Sequence, residues 1–363
     1  MSRQSILAAL AIATAACLAT QGCAPAPQTQ TDAITLSYAS SYPPTHPFSR
    51  ADISWMQWVE KESGGRIRFK PFWSGSLLSA DQSMVEIRHG VTDIGLITPI
   101  YARGGAHMLR AQSGFYGGVR SIPDQVAIYD CLSARFPEFG KELEGLHVLA
   151  VQGGNFPGVL TRSRPVRTLK DFQGLRLRAP AETIDVLKQL GADPVNMPMG
   201  EVYSALAKGV IDGVVAPADT IRSLHFSEVA SYFTSIRFSR GAYPARALSD
   251  KAWRRLSPDM QALMMRSRRV WEEALAAELL KAEQAGIDFG KQEGMTFIRL
   301  AKAEQQRFDG LYNHDAALQA KALGTLGLEG MPVFDTAQAI IRQAGETGPI
   351  ACPAAHITGQ EKQ

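Results

Sequence analysis

The stretch from Leu169 to Pro217 constrains the fold more than any other, because short apolar runs alternate in it with segments of helical periodicity. Leu175–Ala179 reads as a strand, Glu182–Leu190 as a helix stopped by Gly191, and Pro194–Asn196 as a second short strand. A helix then starts at Pro198–Met199 and stops at Gly209, and Val210–Ala216 reads as a buried strand. Gly takes the left-handed cap without a Cβ clash, and Pro lacks only an N–H that a first helical turn cannot use. Strand–helix–strand–helix–strand at this spacing is a βαβαβ unit and predicts a parallel local sheet. Ligands of such sheets sit beyond the carboxyl ends of the strands. Arg178 stands at one such end. Arg176, two residues earlier, faces the other side and is expected in solvent.

A similar order opens the chain. Ala33–Ala39 is a strand, and Thr45-His46-Pro47 leads into a helix with Phe48, Ala51, Trp55 and Val59 on its core face. Gly64-Gly65 ends that helix, Arg66–Phe72 alternates as a strand, a short helix precedes Gly90, and Asp93–Ile97 is a third strand. Asp124–Phe139 follows as a helix and Leu146–Val151 as a strand. Gly153–Pro157 is turn-rich and reads as a first crossover to another lobe, with Tyr243–Leu248 as the return. Ser257-Pro258-Asp259 is a strong helix start. From there Met260, Leu263, Met264, Ser267, Val270, Trp271, Ala274 and Leu275 share one face. A helix of about 30 residues exceeds the usual globular length and is expected to brace both lobes. Met295–Arg299 is a strand, and Ala301–Leu323 and Phe334–Gln343 are helices. The expected organisation is lobe I from residues 33–155 plus about 245–345 with the bracing helices, lobe II from 156–244, and a tail from 346–363.

The first residues differ in kind. Arg3 is the sole charge before Asp32, and Ile6–Thr20 is small and apolar. A basic start and an apolar run of about 15 residues make a secretory signal, too short for a comfortable membrane span. Gly22-Cys23, with Leu18 shortly before, resembles a bacterial lipoprotein cleavage box, although Thr20 and Gln21 depart from it. Two readings stand: lipidation at Cys23 after a signal over residues 1–23, or soluble export after cleavage near Ala19. Either leaves residues 24–32, with Pro25 and Pro27, as a tether. Export places the chain in an oxidising compartment. There Cys131 and Cys352 either pair or remain one buried thiol and one tail thiol. A net charge of +3 over 363 residues argues against a nucleic-acid surface.

Catalytic constellations are missing. There is no GxGxxG, phosphate loop, GxSxG elbow or HExxH. His46, His89, His107, His147, His225, His314 and His356 show no metal-ligand spacing. Asp212-Gly213 reads as a capped tight turn rather than a catalytic aspartate. No cofactor, metal or enzymatic activity is expected. Export, two βαβ units, a long brace and no catalytic motif suggest a cleft-type solute receptor. A secreted α/β enzyme acting on a carboxylated substrate and an extracytoplasmic sensing protein of the same fold are the rival readings.

The residues sharpen this. His46-Pro47, Ser63-Gly64-Gly65-Arg66-Ile67, Gly75-Ser76-Leu77 and the run Glu86–Ile94 carry one half of a family resemblance. Leu169–Arg178, Gly191–Val195, Glu201–Leu206 and Gly209–Gly213 carry the other. In these motifs, and in their order from about Leu36 to Phe334, the chain resembles the solute-binding subunits of TRAP (tripartite ATP-independent periplasmic) transporters, DctP-type branch.

The resemblance implies a two-lobe, periplasmic-binding-protein-like α/β fold, each lobe a mostly parallel sheet with flanking helices. It implies a periplasmic receptor for a small organic acid, delivering it to a large and a small membrane subunit. It also implies that Arg178 grips the ligand carboxylate, a role suited to a planar guanidinium with two parallel donors and permanent charge. Departures limit the ligand. Sialic-acid-binding members carry an arginine near Gly158, asparagines at Ala181 and Ala216, a glutamate at Thr98 and a bulky aromatic at Met199. Small or apolar side chains at these positions, with Trp73, Phe156 and Tyr101 expected near the mouth, point to a smaller or more apolar acid, aromatic or keto in kind.

Overall fold

The computed structural model describes residues 33–347, 350 and 352. The expected signal over residues 1–23, with Cys23, the tether over 24–32 and nearly all of the tail from 348 onward lie outside the described residues.

Two sheets carry the fold. Strands β1 (Ile34–Ala39), β2 (Ile67–Phe72), β3 (Ile94–Leu96) and β4 (Leu146–Gln152) join one sheet. Strands β5 (Gly158–Thr161), β6 (Arg176–Arg178), β7 (Asp193–Val195), β8 (Gly213–Ala216) and β9 (Tyr232–Ser235) join the other. The chain then returns in β10 (Tyr243–Ser249) to the first sheet and in β11 (Thr296–Arg299) to the second. The orders are β2-β1-β3-β10-β4 and β11-β9-β5-β8-β6-β7. The parallel pairing read from Leu169–Pro217 is present, since β6 pairs in parallel with both β7 and β8. Each sheet also takes one antiparallel strand. β10 lies between β3 and β4, and β5 between β8 and β9. Both follow a short linker that crosses between the sheets.

Short helices connect the strands: α1 (Pro47–Glu62), α2 (Ser83–Arg88), α3 (His107–Ala111), α4 (Ile122–Arg135) and α5 (Glu138–Glu142) before the first crossing. In the second-sheet region come α6 (Ile184–Gln189), α7 (Met199–Ala207) and α8 (Asp219–Ser223). The C-terminal region holds α9 (Asp250–Trp253), α10 (Pro258–Gln292), α11 (Lys302–Leu323) and α12 (Gly330–Thr347). Residues 153–157 make the first crossing, between β4 and β5. The return is made by residues 236–242, because the expected linker Tyr243–Leu248 is itself buried sheet.

The long helix is α10, 35 residues from Pro258, with Ser257 in extended geometry before it. Its first half buries Met260, Leu263, Met264, Trp271 and Leu275 in the core of the first sheet. Its second half meets α8, where a Cβ on Gly286 would stand 2.1 Å from the Ala218 carbonyl oxygen. Only a residue without a side chain permits that approach. The lobe boundary drawn for residues 245–345 divides differently in the structure. β11 pairs with β9, and Phe308 and Tyr312 of α11 pack in the core around Val159 and Leu177 of the second sheet. Helical periodicity shows which face is buried but not which sheet it is buried against.

A buried ionic network stiffens the first sheet. Asp52 accepts from Arg246 at 2.6 and 3.0 Å, from the Trp271 indole at 2.6 Å and from the Tyr38 hydroxyl at 2.5 Å. Such a pair tolerates burial because its lone pairs are all used. Cys131 of α4 is disulfide-bonded to Cys352, which resolves the two readings left open for these thiols. Gly213 is not in a turn: it lies in β8, where a Cβ would stand 2.4 Å from the Leu160 carbonyl oxygen, so its smallness lets β5 and β8 close. Among the described residues no helix is long and apolar enough to cross a membrane.

Candidate functional site

A cavity opens at the carboxyl end of β6. Leu177 points into the core and leaves Arg178, the last strand residue, to turn toward the cavity, 2% exposed. Its Nε donates to the Met197 carbonyl at 3.0 Å, Nη1 to the Val215 carbonyl at 3.4 Å and Nη2 to the Tyr101 hydroxyl at 2.6 Å. A guanidinium has five N–H groups, so each terminal nitrogen keeps one donor. No carboxylate among the described residues pairs with it. A buried cation without an anion is strongly unfavourable unless something else supplies the charge. Arg176 faces outward, 3.7 Å from Asp193, as strand alternation requires.

The walls come from both sheets. Tyr42, His46 and Phe48 arrive from the β1–α1 segment, Tyr101 from the turn Pro99–Tyr101 after β3, Arg240 from the return crossing, and Tyr243 from the first position of β10. Met199, Val215, Pro217 and Leu224 face them from the second-sheet region, and Leu279 of α10 closes one side. The free volume is about 70 Å³. At roughly 10–15 Å³ of such volume per water, that is room for a compact molecule.

Burial sets the protonation of the lining. His46 is held down at about 3 by burial, with Arg50, Arg246 and Arg240 adding to the effect, so it is neutral. Its Nδ1 accepts from the Phe48 N–H at 3.2 Å and its ring stacks on Tyr42, which makes it a helix cap and a wall. Burial pushes the Glu182 carboxyl up, partly offset by its own N–H, Arg240 and Arg178. Asp219 is likewise raised by burial and accepts from Asn155 Nδ2 at 3.1 Å.

Of the residues expected at the site, Arg178, Tyr101 and Met199 line this cavity. Thr98 does not. Its N–H donates to Ser83 Oγ at 3.1 Å and its hydroxyl to the Ala80 carbonyl, so it is spent tying β3 to the turn before α2. Ala216 is 1% exposed and packs into the core behind β8, while its neighbours Val215 and Pro217 take the cavity side. Phe156 lies under the Arg237 guanidinium at 3.9 Å and lines a separate groove with Phe233 and Phe297. Trp73 packs on Tyr38, ring centroids 5.5 Å apart, against the first-sheet core. Missed from the sequence were Glu182, Arg240, Tyr42 and Tyr243. Glu182, Arg240 and Tyr42 stand on turns or on the return segment, where no periodicity assigns a face, and Tyr243 opens β10, which is buried throughout and shows no alternation. Among the described residues no cluster of metal ligands occurs.

Two helix-flanked sheets spanned by one long helix, with a charged and aromatic cavity at a strand end, define a cleft-type solute-binding protein. The bacterial extracellular solute-binding protein family 7, DctP, matches residues 38–317, and the chain belongs to it. A solute-binding protein of Roseobacter denitrificans is 32% identical over 152 residues, 41% of this chain and 46% of that protein, so the chain spans about half the length of that relative. A TRAP solute-binding protein from Rhodoferax ferrireducens, in complex with copurified benzoate, has the same fold. It shows a TM-score of 0.77 at 22% identity, covering 86% of this chain and 98% of that one. A TRAP periplasmic protein from Bordetella bronchiseptica with bound mandelate gives 0.75 at 21% identity, covering 85% and 99%.

Proposed function

We propose that the protein is the extracytoplasmic receptor of a TRAP-type transporter, closing around a compact organic acid held by Arg178 and delivering it to membrane subunits. The observation that carries this is the buried Arg178 guanidinium, with a free donor on each terminal nitrogen and no carboxylate among the described residues to meet it. A ligand carboxylate supplies both the missing charge and two parallel acceptors. The surrounding aliphatic and aromatic walls favour an acid of limited polarity, in keeping with the benzoate and mandelate of the two structural relatives. A long polyhydroxylated acid is disfavoured. A Cβ at Gly158 would stand 2.6 Å from the Thr234 carbonyl oxygen, so no second arginine fits there. Contacts from both sheets favour a closed state once the ligand is bound. The apolar run Ile6–Thr20 supports export.

The test is to purify the protein from its native periplasm, unfold it, and identify by mass spectrometry the small molecule released. An organic acid in near-stoichiometric amount is expected. A neutral sugar, a peptide or a cation in its place contradicts the reading.

A further inference from the structure

Glu182 lies in the turn Ala181–Thr183 that follows Arg178, is 8% exposed and lines the cavity. Its Oε2 has no hydrogen-bond partner. Among the described residues, Ser49, Glu138 and Ser223 also carry such an atom, but only Glu182 lines the cavity. The turn is held firmly. The Thr183 N–H and hydroxyl both donate to the Pro180 carbonyl, at 3.0 and 2.9 Å, and Gln319 Nε2 donates to the Glu182 carbonyl at 3.4 Å. A Cβ on Gly114 would come 3.1 Å from the Glu182 Cβ, so the absent side chain there makes room for the glutamate. Buried polar atoms without partners are few in folded proteins and costly to keep. On a residue that lines a ligand cavity, such an atom marks a place where a bound ligand can supply the missing donor.

We infer that Glu182 accepts a hydrogen bond from a hydroxyl of the same ligand whose carboxylate Arg178 holds, so that the solute is a hydroxy acid. This rests on the receptor reading above and narrows its substrate class. A hydroxyl suits the site better than an ammonium group. Arg240 and Arg178 both act on Glu182 through space, and an ammonium would stand among those two guanidinium charges. A hydroxyl donates without adding charge. Met199, Val215 and Leu224 offer apolar wall to the carbon skeleton between the two polar ends.

The experiment uses the full exported protein, freed of small molecules by unfolding and refolding, and calorimetry with three matched pairs of acids. These are lactate and propionate, mandelate and phenylacetate, and 3-hydroxybenzoate and benzoate. In at least one pair the hydroxy acid is expected to bind about tenfold or more tightly, the scale of a hydrogen bond to a charged acceptor. Glu182→Met should bring that ratio close to one, and Glu182→Gln, which keeps one acceptor oxygen, should leave it in between. If acids bind with no hydroxyl preference in any pair, or the preference survives in Glu182→Met, the inference falls and the receptor reading stands. Tighter binding of the matching 2-amino acid overturns it equally. If no acid binds at all, the receptor reading falls and takes the inference with it.

Discussion

Arg178 Nη2 stands 2.6 Å from the Tyr101 phenol oxygen, and this one bond joins the carboxyl end of β6 in the second sheet to the turn after β3 in the first. The guanidinium also lies 5.6 Å from the centroid of the same ring. Tyr101 therefore orients the cation from the opposite sheet and leaves its remaining donors to the cavity. Tyr101→Phe keeps the ring and removes the hydroxyl. It should weaken binding of an organic acid ligand by about three- to tenfold, as expected for one lost hydrogen bond to a charged group. Calorimetry on the stripped protein measures this, and unchanged affinity would show that the bond does not serve the bound state.

The Asp52–Arg246 pair is fully buried and doubly hydrogen-bonded. Asp52→Ala strands Arg246, the Tyr38 hydroxyl and the Trp271 indole together. A loss of about 3–5 kcal/mol is expected, as when one partner of a buried pair is removed. Urea unfolding followed by circular dichroism reads it, and a loss below about 1 kcal/mol would place the network among the weak surface pairs.

Glu283 on α10 accepts from the Asp219 N–H at 3.3 Å, and its carboxyl is pushed up to about 7, by burial first and then by the Asp219 charge. Its value is raised above the ordinary 4.5, so the folded chain holds a proton that the unfolded chain has already lost between those values. The stabilisation is complete below 4.5 and is lost as pH rises through about 7. Glu283→Gln is neutral at every pH and keeps an acceptor for the Asp219 N–H. It should match the wild type near pH 5 and exceed it by about 2–3 kcal/mol near pH 8. Urea unfolding at the two pH values decides, and a gap of equal size at both would remove Glu283 as the titrating group.

Gly286 lets α10 touch the backbone of α8. Alanine favours an isolated helix by about 1 kcal/mol over glycine, yet here its Cβ collides with the Ala218 carbonyl. Gly286→Ala should destabilise the protein by about 1–3 kcal/mol, visible as a lower Tm. A raised Tm would mean that the two helices part at no cost.

Legibility from the sequence followed the reach of each local rule. Arg178 could be singled out because a short alternating run bounded by Gly174 and Pro180 shows where a strand ends. α10 was visible over most of its 35 residues because Ser257-Pro258 marks its start and the apolar stripe persists. Strand partners were not visible. β5 and β10 reverse the local direction because of bonds to residues distant in the chain. Ala216 was expected in the site by resemblance, yet every residue of β8 is buried and the strand pattern cannot tell cavity from core. Glu182 escaped notice because a three-residue turn has no periodicity, and its burial depends on Gly114 and Gln319 far along the chain. Phe156 and Trp73 are aromatics on loops or strand ends, whose direction is set by the Arg237 and Tyr38 side chains they meet.

Calorimetry of the acid released from the protein, with wild type and Arg178→Met, tests most directly whether the Arg178 guanidinium holds a carboxylate. Methionine fills much of the same space without charge, and circular dichroism verifies that the variant folds. A loss of affinity of about a hundredfold or more is expected, the scale of one partner removed from a buried, hydrogen-bonded charge pair. Affinity within about threefold of wild type, in a folded variant, would contradict it.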